Sequence, residues 1–398
     1  MPPKSWIQCK LGEYAEITMG QSPESTHYSS NPEDVPFLQG NRTFGSKYPH
    51  FDTYTSKVTK LAVKNSVLLS VRAPVGDVNI APNDVCLGRG VSGLTSIDVT
   101  NEFLYYLLRN LTPVLNQNEN GSTFGSINKS DLESLPILLP DITTRNKIAT
   151  ILSTIDSKIE INREINANLL RQMESIYCNL MDFSKYNNLI ETELGPMPDN
   201  WHVEQVSKYC KDMKNGATPS RSKNEYWVNG TIPWVVTGEV NDSIIIDTEE
   251  KITDLGLKNS SAKLLPVDTV VMAMYGRGTA ARLAYLKIEA ATNQACCGMI
   301  CDTPNRSAFL YETLHQMHDY IDTLASGSVQ QNLSKEIIGN LKFPCPPDDI
   351  IESLELSMIF DVITNNDLEN KRLIELRDYL LPKLMSGEID VSQLDLGD

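Results

Sequence analysis

The sequence contains two related helix openings, FLYYLLRN at Phe103–Asn110 and FLYETLHQ at Phe309–Gln316. They lie 206 residues apart (309 − 103), and the same offset continues without a gap downstream. There, GSTFGSINKSDLESLPILLP at Gly121–Pro140 lies over GSVQQNLSKEIIGNLKFPCP at Gly327–Pro346. Glycine, lysine and proline coincide along this alignment. Two copies are too few for a solenoid of stacked repeats, so the pattern predicts the duplication of a whole domain.

The similarity extends upstream, although more loosely. A tryptophan (Trp6 or Trp201) precedes a Gly-x-[Ser/Thr]-Pro segment in each copy, GQSP at 20–23 and GATP at 216–219. VPFLQGN (35–41) and IPWVVTGE (232–239) then follow. Both are typical of a strand that is entered through a proline and ends in a glycine turn.

A long helical pattern follows the first copy, and residues 141–183 contain neither Gly nor Pro. Side chains at heptad spacing define a pairing face that is polar only in its middle: Ile148, Leu152, Ile155, Ile159, Asn162, Asn166, Leu169, Met173 and Ile176. The pattern predicts a helix of about 40 residues, about 60 Å long. Buried asparagines at such positions cost stability but fix register and partner.

The second copy is followed by a similar pattern from Ile350 to Met385, with a proline and a glycine near its end. Its pairing face is drawn through Ile359, Val362, Asn366, Leu373, Leu376 and Leu380, with Glu369 also at the polar centre. Each apolar stripe needs a partner. We expect the two helices to pack antiparallel, so that their polar centres meet; packing of each helix on its own globular domain is the alternative.

The formal net charge of −16 is unevenly distributed along the 398 residues. Residues 347–398 hold 4 basic and 13 acidic groups (4 − 13 = −9), so the duplicated segments are only mildly acidic and either can present a basic face. No apolar run has the length of a membrane span, and MPPKSWIQCK at the start lacks the apolar stretch of a signal peptide. We therefore expect a cytoplasmic protein whose eight cysteines are reduced, buried thiols.

Motifs of catalysis are few. GRGVSG at Gly88–Gly93 fits a dinucleotide fingerprint, but the sequence after it does not open a helix, which favours a turn. DTEEK at Asp247–Lys251 is interpreted as a solvated charge run, and His315 and His318 lack further metal ligands nearby. The sequence has no nucleophile elbow, Walker loop or zinc-protease motif. We therefore predict no catalytic site, metal or cofactor.

Polar and basic residues instead occupy glycine-rich loops, and these loops differ between the copies. Such side chains read base edges and hold phosphates. The candidates in the first copy are Gln21, Ser22, Gln39, Asn41, Arg42, Arg72, Arg89, Ser126, Asn128 and Lys129. Those in the second copy are Thr218, Ser220, Arg221, Thr237, Tyr275, Arg277, Asn293, Gln294, Gln330, Gln331, Asn332 and Lys335.

The chain resembles the DNA-specificity subunits of type I restriction–modification systems over nearly its whole length. The resemblance rests on the duplicated W…G-x-[ST]-P…[IV]-P-[FW] opening and on the GS…[IL]-x-K…L…P close. LRDYLLPKLMSGEI at Leu376–Ile389 is its most specific part.

The resemblance implies an α+β fold with two duplicated target-recognition domains, each of mixed α/β content, and two long, antiparallel, coiled-coil-like helices related by a pseudo-twofold axis. The implied layout is recognition domain 1 (1–140), helical spacer 1 (141–190), recognition domain 2 (191–346), and helical spacer 2 with the tail (347–398). Each domain would read half of a bipartite site in double-stranded DNA. The helices would set the gap between the halves.

The same resemblance implies a non-catalytic subunit that docks two adenine methyltransferase subunits and, through the complex, restriction–translocase subunits. Two features depart from what the resemblance implies: the high net negative charge of the chain, and Glu369 at the centre of the second long helix. A fused restriction–methylation enzyme is the first alternative, but the Asn/Asp-Pro-Pro-Tyr/Phe motif of a methyltransferase and a separated acidic nuclease motif are both missing from the sequence. A plain helical scaffold is the second, and the two different loop sets argue against it.

Overall fold

The computed structural model describes residues 6–98, 100–117, 125–276, 278–325 and 332–395. The chain forms two compact units: unit 1 is Met1–Ile159 with Arg372–Asp398, and unit 2 is Glu160–Lys371. Each unit contains one copy of the duplicated segment and part of both long helices. The described helices and strands are numbered below in chain order.

The described part of unit 1 contains three α-helices besides the long ones: α1 (Leu11–Tyr14), α2 (Asn101–Gln117) and α3 (Lys129–Ser134). Its strands are β1 (Ile7–Lys10), β2 (Ala15–Met19), β3 (Tyr28–Ser29), β4 (Val35–Leu38), β5 (Tyr54–Thr55), β6 (Leu61–Ala62), β7 (Val67–Ser70), β8 (Val78–Ile80), β9 (Val85–Leu87), β10 (Val91–Ser96) and β11 (Pro136–Leu139).

Two sheets and a closing strand pair organise unit 1. One sheet has the antiparallel order β2-β10-β7-β8, and the other has the order β3-β5-β4-β9-β6, in which β4 and β9 run parallel. Strands β1 and β11 pair and bring the two ends of the copy together. GRGVSG falls at the turn from β9 into β10 and runs into β10, so it lacks the strand-to-helix context of a dinucleotide loop.

The long helices are α4 (Ile142–Leu180) and α11 (Leu356–Met385). Unit 2 adds α5 (Val206–Tyr209), α6 (Asp254–Lys258), α7 (Pro304–Gln316), α8 (His318–Ala325), α9 (Lys335–Gly339) and α10 (Asp348–Ser353). Its strands are β12 (Leu189–Thr192), β13 (Gly195–Pro198), β14 (His202–Gln205), β15 (Asp212–Asn215), β16 (Ile232–Val235), β17 (Ser243–Ile245), β18 (Lys251–Ile252), β19 (Val270–Ala273), β20 (Leu283–Leu286), β21 (Ala291–Thr292), β22 (Cys296–Ile300) and β23 (Lys342–Cys345).

Unit 2 repeats the plan of unit 1. Its main sheet has the order β15-β22-β19-β20-β17, which matches β2-β10-β7-β8 with one added strand. The parallel pair β16–β21 corresponds to β4–β9, and the pair β14–β23 corresponds to β1–β11. The repeated segment at Phe103 begins in the first turn of α2, and the one at Phe309 forms the second half of α7; both phenylalanines are fully buried.

Both long helices contribute to both cores. In unit 1, Ile148 and Leu152 of α4 and Leu384 of α11 join the cluster around Phe103. In unit 2, Met173 and Tyr177 at the end of α4 and Leu356 and Phe360 at the start of α11 join the cluster around Phe309. Each long helix therefore packs on the core of both units.

The second helical segment is not continuous. Helix α10 ends at Ser353, Glu355 has a left-handed φ of 51°, and α11 begins at Leu356. The prediction of one helix from Ile350 is wrong at this point because heptad spacing does not report a single residue that leaves helical geometry. Further along, α11 continues through Pro382 to Met385, and Gly387 follows with a φ of 72°.

Candidate nucleic-acid interface

Backbone hydrogen bonds bring distant loops of unit 1 together. The amide of Gln21, after β2, donates to Leu87 O (2.9 Å), and the amide of Gly90 donates to Gln39 O (3.0 Å) after β4. Val71, after β7, donates to Gly90 O (2.9 Å). Ile127, before α3, donates in turn to Val71 O. We call the resulting patch the first loop surface, formed by Gln21, Ser22, Gln39, Arg72, Arg89 and Ser126.

Unit 2 builds an equivalent patch with the same bonding pattern. Ala217 N donates to Thr292 O (2.9 Å), Asn293 N to Val235 O (3.0 Å), and Met274 N to Ala295 O (2.7 Å). Leu333 N then donates to Met274 O. We call this patch the second loop surface, formed by Thr218, Thr237, Tyr275, Asn293, Gln294 and Asn332.

Several side chains of the first loop surface are exposed and uncommitted. Arg72, Arg89, Gln21 and Gln39 are exposed, and among the described residues none of their side chains has a hydrogen bond or ion pair. Because these groups carry no structural contact, a ligand can bind them without breaking an existing bond.

Two predicted arginines are already held by carboxylates. Arg42 donates to both oxygens of Asp52 (2.9 and 2.7 Å), and these bonds lower the pKa of that exposed carboxyl group. Arg221 pairs with Glu250 and lies over the Trp227 ring, 3.6 Å from its centroid. Both are exposed, but their guanidinium groups are oriented by the protein itself.

Other predicted contacts have structural roles. Asn128 caps α3, because its side chain accepts from Asp131 N (3.0 Å), and Lys129 pairs with Glu133 on the same helix (3.5 Å). Asn41 donates to Asp77 Oδ2 (2.6 Å).

The second copy shows the same distinction. Lys335 donates to Met213 O (2.8 Å), and Ser220 and Ser222 bond to each other (2.9 Å). The side chains of Thr237 and Asn293 bond to each other (2.9 and 3.2 Å). Arg277, Gln330 and Gln331 lie outside the described residues, so their predicted roles stay predictions.

One neighbouring segment was missed by sequence reasoning. The hydroxyl of Thr59 donates to Gln21 O, and Lys60 O accepts from Leu87 N (2.8 Å), which places this segment beside the first loop surface. Lys60 is exposed. The spaced lysines of SKVTK (56–60) were the available signal, but no glycine turn marked the segment as a contact loop.

Positions on α4 that were predicted to pair are mostly inaccessible. In unit 1, Ile148, Leu152, Ile155 and Ile159 are buried. In unit 2, Asn162 and Met173 are buried, and Leu169 and Ile176 are half-buried.

The face of α11 is shifted by one residue from the predicted one. Val362 and Leu376 are 43% and 45% exposed, whereas Phe360, Ile363 and Asn370 are buried. The predicted positions Ile359, Asn366, Leu373 and Leu380 are half-buried at its edge. Phe360 is fully buried and stacks on Tyr285, with the ring centroids 4.0 Å apart, and this packing favours the observed face over the predicted one.

The polar centres of the two helices meet within unit 2. Asn162 is fully buried, and its side-chain amide donates to Glu369 Oε2 (2.7 Å) and to Asn370 Oδ1 (2.9 Å). Asn366 donates to Asn166 Oδ1 (2.7 Å). Residue numbers rise along α4 as those of the partners on α11 fall, so the two helices run antiparallel here. Glu369 therefore stabilises the register instead of disrupting it.

Asp367 supplies a pH-dependent test of this centre. Burial raises the pKa of its carboxyl group, whose Oδ1 accepts from Asn166 (2.9 Å). The folded state thus favours the protonated form. The contribution of Asp367 to stability is fully present below the unfolded pKa of about 3.9 and is lost as pH rises through the raised folded pKa.

We expect Asp367→Asn to raise the free energy of unfolding at pH 7, because the neutral asparagine replaces a carboxylate whose charge the folded state disfavours. The gain should be at most about 1 kcal/mol, since the side chain is partly exposed and solvent screens its charge. The gain should shrink toward pH 4, as measured by urea unfolding across that range. Glu375→Gln, at an exposed position of the same helix, should have little effect at any pH. An equal gain for Asp367→Asn at pH 4 and pH 7 would contradict this origin.

Neither a metal-ligand cluster nor a membrane-spanning helix occurs in the described ranges. There, no three His, Cys, Asp or Glu side chains are grouped so that they could hold a metal ion. No helix in the same ranges has the length and apolarity to cross a bilayer.

A family model described as the type I restriction modification DNA specificity domain matches the chain twice, over residues 3–171 and 198–378. The chain belongs to this family. Specificity subunits are non-catalytic and leave methylation and cleavage to partner subunits. The two matches correspond to the two duplicated segments with their helices.

Related proteins cover the chain at different lengths. A type I restriction enzyme specificity subunit (MjaIX) of Methanocaldococcus jannaschii is 26% identical over 98% of this chain and 95% of its own length. A putative type I specificity subunit of the same organism (MjaX) is 45% identical over 166 residues, which are 41% of this chain and 39% of that one. The crystal structure of a type I S subunit from M. genitalium superimposes with a TM-score of 0.62 at 18% identity, over 96% of both chains. That similarity supports the α+β fold with its duplicated domains and long helices.

Proposed function

We propose that the chain is the DNA-reading subunit of a type I restriction–modification complex, and that each loop surface contacts one half of a bipartite DNA site. The supporting observation is that the two units share one backbone arrangement in these loops but carry different exposed side chains on it. A common frame presents side chains in a common geometry, and different side chains then select different bases.

The arginines near the loop surfaces bear on how DNA is held. Arg72 and Arg89 are the uncommitted arginines of the first loop surface, while Arg42 and Arg221 already neutralise carboxylates. A chain of net charge −16 needs help with the phosphate backbone. We propose that its partner subunits supply much of that contact.

The long helices provide a surface for those partners. In unit 2, Ile161 and Ile165 of α4 and Met358 and Val362 of α11 are between 39% and 56% exposed. Exposed apolar side chains at helical spacing are typical of a docking face. We propose that methyltransferase subunits, two per complex, dock on these helices, that restriction subunits join through the complex, and that the helices set the number of unread base pairs. We expect the assembly to act in the cytoplasm.

The test is a methylation map. The chain would be co-expressed with the adenine methyltransferase of its own system in a host that lacks adenine methylation, and methyladenine would be mapped across the genome. We expect one split motif with two short specified halves and a fixed gap. Replacing residues 191–346 with those of another specificity subunit should change one half alone. Methylation at a single continuous motif, or none from an assembled complex, would contradict the proposal.

A further inference from the structure

The two loop surfaces place different residues at the same structural position. Strands β7 and β19 are each followed by one buried residue, Val71 or Met274, and then by an exposed one, Arg72 or Tyr275. Arg72 forms an isolated antiparallel bridge with Ser126, and Tyr275 forms the same bridge with Asn332. The backbone frame is therefore shared, and only the side chain differs.

A second equivalent pair lies in the turn after β9 and β21. Arg89 occupies this turn in unit 1, and Gln294 occupies it in unit 2. The next residue in each turn accepts a backbone hydrogen bond from the residue that follows β7 or β19, 2.9 Å in unit 1 and 2.7 Å in unit 2. Each turn is thus held beside the residue of the first pair in the same unit, Arg72 or Tyr275.

The side chains at these equivalent positions differ in the bases that they can recognise. Arginine donates two hydrogen bonds to O6 and N7 of guanine, whereas glutamine matches N6 and N7 of adenine, and apolar surface contacts the thymine methyl group. We infer, on the basis of the proposed function, that the first loop surface reads guanine through Arg72 and Arg89. The second loop surface reads an A·T pair through Gln294 and Tyr275.

The surroundings of these residues support the assignment. Arg72 and Arg89 have no carboxylate partner among the described residues, unlike Arg42 and Arg221, so base contact costs no existing ion pair. The Thr218 hydroxyl donates to Gln294 Oε1 and orients the amide. A carbonyl oxygen has two lone pairs, so Oε1 still accepts from adenine N6 while Nε2 donates to N7.

The experiment maps methylation for Arg72→Ala, Arg89→Ala and Gln294→Ala with the co-expressed methyltransferase, on a library in which each motif position is randomised. A lost bidentate pair should relax discrimination at one position by roughly 5- to 140-fold. We expect Arg72→Ala and Arg89→Ala each to relax one G·C position in one half of the motif. Gln294→Ala should relax one A·T position in the other half. Lys64 is exposed and precedes β7, at the end of the strand opposite to Arg72. Lys64→Ala is therefore the control for the loss of a positive charge.

Each result has a defined meaning. If the arginine variants lower methylation uniformly at all sites, these residues contact phosphates and the inference is overturned. Relaxation at an A·T position by the arginine variants would overturn it as well. A wild-type protein that yields no split motif instead refutes the proposed function itself. Co-purification with the methyltransferase shows that a variant is folded. An arginine variant that does not co-purify is replaced by Arg72→Gln or Arg89→Gln. For these variants we expect the motif to specify adenine in place of guanine.

Discussion

Replacing Asp156 with alanine is expected to lower the free energy of unfolding of unit 1 by about 3–5 kcal/mol, the usual effect of removing one partner from a buried ion pair. Asp156 lies on α4 and is 8% exposed. Its Oδ1 accepts from Arg377 Nη1 of α11 (2.9 Å), and its Oδ2 accepts from the hydroxyl of Tyr106 (2.7 Å). Alanine would leave the largely buried Arg377 guanidinium group without its buried partner, with only the exposed Asp378 remaining, and the buried Tyr106 hydroxyl without an acceptor.

A matched control comes from the same arginine. Asp378 also contacts Arg377 (2.9 Å), but its side chain is 55% exposed. Asp378→Ala should change the free energy of unfolding by less than about 1 kcal/mol, as is usual for surface pairs. In thermal unfolding, Asp156→Ala should lower the Tm of the affected transition by roughly 6–20 °C. Similar shifts for the two variants would show that burial does not control this interaction.

The second large effect is expected at the glycine of the repeated Gly-x-[Ser/Thr]-Pro segment. A Cβ on Gly216 would lie 2.1 Å from Asn293 O and 2.3 Å from Thr292 O, which are backbone atoms. Gly216→Ala must therefore push apart the loop that carries Thr218 and the turn that carries Gln294. We expect discrimination at the half-site read by unit 2 to fall by more than about tenfold, since several base contacts depend on this frame.

Gly20 occupies the same position in unit 1, where a Cβ would lie 2.1 Å from Gly88 O. Gly20→Ala should therefore damage the other half of the motif and leave the half read by unit 2 intact. Gly40 and Gly238 are matched controls, because a Cβ there meets nothing within 4 Å. Their alanine variants should stay within about 0.5 kcal/mol of wild-type stability and keep the wild-type motif. Methylation mapping measures the outcome, and damage to both halves by either variant would contradict independent frames.

These glycines connect the sequence pattern to the tertiary structure. The repeat marks them in sequence, but only the close approach of two backbones explains why a side chain cannot be accommodated. The same contact explains why the first residue of each loop surface, Gln21 or Thr218, lies within the motif itself.

The sequence by itself determined the duplication, the two long helices with polar centres and the family, because these depend on periodicity and on residues that are near each other in the chain. The tertiary structure alone decided which arginines are free. Arg42 and Arg221 find carboxylates 10 and 29 residues away, while Arg72 finds none among the described residues. It also decided the break at Glu355 and the one-residue shift of the pairing face of α11. Ion-pair choice and helix register depend on which distant side chains fold into contact, and neither leaves a local trace in the sequence.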